Sequence, residues 1–125
     1  MNTLVNDIQT CSHQPTRKTD RGREKEYIFP QSFLGFQGHF SGKPVLPAVV
    51  QIMIFRESIA EELARPLEIV KVTRAKFLKV IGADVSVTAT WTLKETDEGF
   101  LCKCLLESEG ERASSFNLTL IANTE

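Results

Sequence analysis

The strongest constraint on what this chain can fold into is residues 43–66, KPVLPAVVQIMIFRESIAEELARP. From Ala48 to Phe55 every residue except Gln51 is apolar, and then Arg56, Glu57, Glu61 and Glu62 break the run. Ile52, Phe55, Ile59 and Leu63 recur at spacings of three or four, the period of one helix face. Pro47 falls at or just before the first turn, where its missing N–H costs nothing. Arg65 and Pro66 end the pattern, because a residue that precedes proline is pushed out of the α region. The segment predicts a helix over 48–64, buried nearly all round at its start and reaching solvent at its end. A single helix this apolar must be covered on most sides by the rest of the chain.

The rest reads as strands. Residues 67–80, LEIVKVTRAKFLKV, are rich in β-branched and aromatic side chains. Residues 85–93 alternate Val85, Val87, Ala89, Trp91 and Leu93 with Ser86, Thr88, Thr90 and Thr92, the period of a half-buried strand. Residues 100–108 and 112–122 follow, with breaks at GAD (82–84), KETDEG (94–99) and EGE (109–111). Strands at this tight spacing make an antiparallel meander. EKEYIFP reads as a shorter strand stopping at Pro30, and TLVNDIQT (3–10) as a first strand. The polar, basic residues 11–25 between them read as a loop or a long hairpin connection. Residues 31–44, QSFLGFQGHFSGKP, hold three glycines and three phenylalanines; they are too irregular for a long element and too apolar to float, so a loop packed over the core is expected. The fold class is α+β, with five to six antiparallel strands wrapped around one long central helix. One domain is expected over 1–125, with 1–23 as an N-terminal strand or loop segment.

Composition narrows the function classes. A chain of 125 residues with 42% hydrophobic residues can bury one core, roughly two-thirds of its unfolded surface. A net charge of −1 gives no global field for nucleic acid. No apolar run reaches the ~18 residues of a membrane span, and the N-terminus lacks the basic and apolar regions of a secretory signal, so a cytoplasmic protein is expected. Cys11, Cys102 and Cys104 are an odd set without metal or disulfide spacing and read as small buried thiols. No metal and no cofactor are expected.

One stretch carries chemistry. In FQGHFSGKPVLPAVVQ, residues 36–51, His39 stands between Gly38 and Phe40 just upstream of the helix. This stretch resembles the motif of the 3-hydroxyacyl-acyl-carrier-protein dehydratases, roughly G-H-F-P-x-x-P-[VIL]-[ML]-P-G-V. Gly38, His39, Phe40, Pro44, Val45, Leu46, Pro47 and Val49 match it. Downstream, RAKFLKVIGAD (74–84) is similar to that family's second recurring segment, and the resemblance spans about residues 24–122. The shape YIFPQSFLGFQGHF…PAVVQ looks closest to a branch encoded with polyketide-type or aryl-polyene lipid pathways.

The resemblance implies a hotdog fold and loss of water from a 3-hydroxyacyl thioester, in fatty-acid or polyketide-like lipid synthesis. It assigns His39 as the base at C2, since a neutral imidazole suits proton abstraction near pH 7. The Val45 carbonyl would hold the other ring nitrogen. The Ala48 N–H, at the helix start, would receive developing negative charge on the thioester oxygen. Gly38, Phe40, Leu46 and Gln51 are the expected substrate-binding positions. The family's acidic residue falls fourteen positions after the histidine, and here that position is Met53. A thioether cannot donate a proton. Ser41 replaces the usual Pro and Ala48 the usual Gly. Glu57 lies one turn further along the same helix face, ~5.4 Å away.

Two alternatives stay open: a hotdog acyl thioesterase, for which Glu57 is the available carboxylate, and a non-catalytic acyl-thioester binder that pairs with an acid-bearing paralogue. Expected partners are an acyl carrier protein or coenzyme A thioester and a second subunit in a homodimer or higher hotdog oligomer. Arg65, Lys71, Arg74, Lys76 and Lys79 stand against only Glu68 over 65–79, a candidate basic rim for an acidic carrier.

Overall fold

In the computed structural model the described residues are 3–36 and 43–123. The apolar run forms helix α2, Ala48–Leu63, after a shorter helix α1, Thr3–Thr10. The strands are β1 (Arg17–Thr19), β2 (Gly22–Ile28), β3 (Leu67–Phe77), β4 (Ser86–Glu95), β5 (Phe100–Ser108) and β6 (Glu111–Ala122). They form one antiparallel sheet in the order β1-β2-β4-β5-β6-β3. The sheet's inner face lies on α2, so the expected α+β wrap of six strands around one long helix is present.

Alternation builds the core. Val87, Ala89 and Trp91 of β4, Cys102, Cys104 and Leu106 of β5, and Phe116, Leu118 and Leu120 of β6 all turn inward and are buried. They meet Val50, Ile54, Phe55 and Ile59 from α2. Phe55 stands edge-on to both Trp91 and Phe116, with ring centroids 6.2 and 5.3 Å apart, a favoured aromatic geometry. All three cysteines are buried free thiols, and burial pushes Cys11 up to about 11.

The second half of α2 is polar because β2 runs beside it. Arg23 pairs with Glu62, Lys25 with Glu61, and the Tyr27 hydroxyl with Ser58. The Trp91 indole N–H also donates to Glu62, at 3.1 Å. These acids at the helix's negative end are thereby neutralised.

Three expectations change. Residues 3–10 are helical rather than a strand: Leu4, Ile8 and Cys11 recur at helical spacing, and both Ile8 and Cys11 are buried in the core. The β-branched content of so short a segment favoured the wrong period. Residues 11–25 are more ordered than a loop, since β1 and β2 form a hairpin in which Arg17 faces Glu24. The start of α2 is not covered all round in this chain: Ala48 is exposed, and Val49 is 63% exposed. The described part of the loop 31–44 does pack on the core, with Phe33 and Phe36 buried and Phe33 4.7 Å from Phe29.

Candidate functional site

Among the described residues, the first turn of α2 has no side-chain cap for its N–H groups. Pro47 precedes it in an extended conformation and makes no side-chain cap bond. The first helical bond is from the Gln51 N–H to the Pro47 carbonyl, 3.0 Å. The N–H groups of Ala48, Val49 and Val50 therefore have no acceptor inside the helix, and the helix dipole adds positive potential there.

The approach to that turn is fixed by long-range bonds. The Leu46 N–H donates to the Ile81 carbonyl at 2.8 Å. The Gln51 side chain, buried, donates from Nε2 to the Leu46 carbonyl at 3.0 Å, and its Oε1 accepts from the Ser114 hydroxyl at 2.7 Å. This chain ties the segment before the helix to α2 and to β6. A buried amide with both ends bonded is a strong positional constraint.

A cleft of about 310 Å³ opens beside the turn. It is bounded by Val45–Ala48 and Gln51 on one side and by Phe77–Val80 on the other, a size at the small end of ligand sites. Its far wall is apolar and exposed, with Phe77 at 46%, Leu78 at 61% and Val80 at 66%. That wall is held by Leu78 and Lys79 N–H bonds to the Ala113 carbonyl, and by Lys79 Nζ bonds to Glu111 and the Ser108 carbonyl. A larger groove, about 820 Å³, lies at the other end of α2 near His13. Its Lys25 and Arg23 are already paired with Glu61 and Glu62, whereas the smaller cleft adjoins helix N–H groups that have no acceptor within the helix.

Of the sequence-derived site residues, Val45, Leu46, Ala48 and Gln51 come together on this cleft. Gln51 offers no free polar atom there, because both ends of its amide are engaged. Gly38, His39, Phe40 and Ser41 lie outside the described residues. Met53 sits half-buried on α2, packed against the core cluster. Glu57 is half-buried with its carboxylate bonded to Arg56 Nε at 2.7 Å. Two features escaped the sequence reading. Ser114 anchors Gln51, and nothing in RASSF marks one serine as inward-facing and bonded. The sequence predicts a strand through Val80, yet β3 stops at Phe77 and residues 78–80 line the cleft opposite the helix start.

Comparison with known proteins gives the following. The family model described as ApeI-like, ApeI dehydratase, matches residues 15–116. No curated protein matches the chain. The dehydratase heterocomplex ApeI:P from Xenorhabdus doucetiae is similar in structure, with a TM-score of 0.72 at 18% identity over 88% of this chain and 96% of that one. A hypothetical thioesterase protein with coenzyme A from Streptococcus pneumoniae TIGR4 gives 0.68 at 10% identity, covering 97% and 94%. An uncharacterised protein from Erwinia carotovora subsp. atroseptica gives 0.66 at 20% identity, covering 90% and 94%. At these identities the structural likenesses establish the fold, which is the hotdog fold.

Proposed function

The chain belongs to the ApeI-like dehydratase family, and on that premise we propose that its site handles 3-hydroxyacyl thioesters and removes water from them. The observation that carries this reading is the cleft lined by Val45–Ala48 and Gln51 beside the first turn of α2, where the N–H groups of Ala48, Val49 and Val50 have no acceptor within the helix. In this reading His39 takes the proton from C2. The Val45 carbonyl orients the ring, and the Ala48 N–H receives the charge that gathers on the thioester oxygen. Gly38, Phe40 and Leu46 shape the pocket, and Gln51 holds the Leu46 carbonyl rather than the substrate.

The C3 hydroxyl needs a proton as it leaves, and Met53 has none to give. We therefore propose that the acid arrives from another chain. The relative in Xenorhabdus doucetiae is a dehydratase heterocomplex, which supports pairing between unlike chains. The uncovered start of α2 and the exposed strand β3 supply surfaces for such a partner. Lys71, Arg74 and Lys76 of β3 are exposed and suit an acidic carrier protein or a thioester's phosphate. Thioester hydrolysis is the second reading, supported by the likeness to a thioesterase with coenzyme A.

The test is to incubate the purified protein, alone and with an acid-bearing relative, with 3-hydroxybutyryl and crotonyl thioesters. Interconversion of the two is expected, strongest in the mixed complex. His39→Ala should abolish it, and Met53→Glu should raise the rate of the lone chain by ~10²-fold, the scale of one general acid. Full activity in His39→Ala would exclude the base, whereas release of free thiol without interconversion would establish hydrolysis instead.

A further inference from the structure

The outward face of the sheet carries a hollow that takes no part in the cleft at α2. Its volume is about 520 Å³, within the range of small-molecule sites, and it shares no lining residue with the cleft. The strand register builds it. Thr92 on β4 faces Lys103 on β5, Lys103 faces Asn117 on β6, and Asn117 faces Thr73 on β3. One row of side chains thus crosses four strands, on the face opposite the buried Cys102, Cys104, Phe116 and Leu118. Lys94 and Thr119 stand two positions along, on either side of Leu101.

The charge in this hollow has one sign. Lys94 and Lys103 line it, and among the described residues no acid does. Glu95, next to Lys94, belongs to the other face, in register with the buried Phe100. Among the described residues, Thr73, Thr92, Lys94, Lys103, Asn117 and Thr119 make no side-chain hydrogen bond or ion pair. Lys94 and Lys103 are diagonal neighbours on adjacent strands, positions roughly 7–8 Å apart, so their charges repel each other with no counter-charge between them. A smaller hollow of about 190 Å³ shares Thr92 and Lys103 with the first. It adds Arg21, held to Glu107 at 3.0 Å, and Thr90, which is 5% exposed and whose hydroxyl has no hydrogen-bond partner among the described residues. A buried hydroxyl left unpaired costs free energy, so this face holds polar groups that the fold itself does not use.

We propose that this face of the sheet is a binding site for a phosphate ester, with Lys94 and Lys103 supplying the charge and Thr92, Asn117 and Thr119 the neutral donors. A phosphate group accepts bonds from several directions at once, which suits two ammonium groups, an amide and hydroxyls spread over two rows. A carboxylate has fewer oxygens to share among them. A bound dianion also offsets the repulsion between the two lysines. Leu101, 45% exposed, gives an apolar contact for the organic body of the ester. Two sources carry this chemistry: a free phosphate ester, and the phosphates of a coenzyme A thioester. The site stands independently of the dehydratase reading.

The experiment titrates ADP and coenzyme A into the full chain at low ionic strength and follows the backbone amide NMR signals. ADP should bind saturably and shift the amides around Thr92, Lys103 and Asn117 rather than those of Ala48 to Gln51. Lys103→Gln should weaken ADP ~10-fold, the scale of one charge-assisted bond. Asn117→Leu, which leaves the net charge unchanged, should weaken it by roughly threefold or more. Arg112→Gln removes one charge at the other end of β6, outside both hollows, and should change the affinity by less than about twofold, since distant exposed charges are screened. Absence of saturation at millimolar ADP overturns the proposal. So does equal weakening by Lys103→Gln and Arg112→Gln, which reduces the effect to net charge, or shifts confined to the start of α2. ADP and coenzyme A bound alike identify a free phosphate ester as sufficient, and coenzyme A bound ~10-fold more tightly identifies the thioester's own phosphates; either upholds the site. Turnover is not part of the readout, so failure of the dehydratase reading and failure of this site are separate results.

Discussion

Gln51 and Tyr27 show how single polar groups organise an apolar interior. Gln51 links Ser114 on β6 to the Leu46 carbonyl beside the cleft, so it sets the distance between helix start and sheet. Gln51→Leu leaves the Ser114 hydroxyl and the Leu46 carbonyl buried without that partner. A loss of about 2–4 kcal/mol is expected, one to two orphaned groups' worth, read as a lower denaturation midpoint at unchanged slope. Tyr27 is 2% exposed. Ser58 donates to the Ile54 carbonyl, which leaves the Tyr27 O–H to donate to Ser58. Burial pushes Tyr27 up from 10.0 to about 12, against a smaller opposing effect of the Ser58 bond. Between those pH values the unfolded chain has lost a proton that the folded chain keeps. Stability is therefore full below about pH 10 and falls as pH rises towards 12, by on the order of 2–3 kcal/mol in all. Tyr27 is the only tyrosine, so phenolate absorbance follows it alone. The absorbance should rise with unfolding rather than near pH 10, and Tyr27→Phe should flatten the alkaline decline.

At the scale of elements, α2 ends as its sequence requires, but with a strained residue. The Arg65 N–H reaches back to the Ala60 carbonyl and the Ala64 N–H to Glu61, the paired bonds of a Schellman cap. This cap puts its pivot in the left-handed region, and here the pivot is Ala64 at φ 56°, where a Cβ is disfavoured. Ala64→Gly removes that penalty, so a gain of about 0.5–1 kcal/mol is expected, visible as a melting temperature raised by about 2–6 °C. The cap lies at the far end of α2 from the cleft, so turnover should be unaffected. The short helix α1 shows the opposite case. Eight residues are too few to be stable as a helix alone, and it persists because Ile8 enters the core and Asp7 bonds to Leu34.

For the whole molecule, the unfinished surface is the informative one. β3 is an edge strand of 11 residues, exposed along nearly its whole length. Val70 and Val72 on it are 50% and 39% exposed. An 11-residue edge strand with exposed valines and a row of outward N–H and C=O groups is a template for pairing. Its bulges near Val70 and Arg74 leave it long enough to join a second strand. The chain is expected to sediment at no less than twice its own mass. Val72→Glu combined with Val70→Lys should move it towards the monomer and reduce thioester turnover together. A wild type that sediments as a monomer at micromolar concentration would contradict this.

The sequence by itself determined what depends on local chemistry and period. The long helix, its proline-marked ends, the meander from residue 85 to 122 and the inward face of the two β5 cysteines follow from spacing alone. The motif around His39, with Met53 at the family's acid position, is likewise read from sequence positions, and it remains part of the proposed function. Tertiary structure decided the rest. Helix α1 was hidden because eight residues carry too little periodicity to separate helix from strand, and only burial of Ile8 chose. The cleft's far wall, the Gln51 tether to Ser114 and the Asp7 bond to Leu34 join residues tens of positions apart. No local pattern encodes such pairs; they exist because the sheet curls around the helix and brings them within reach.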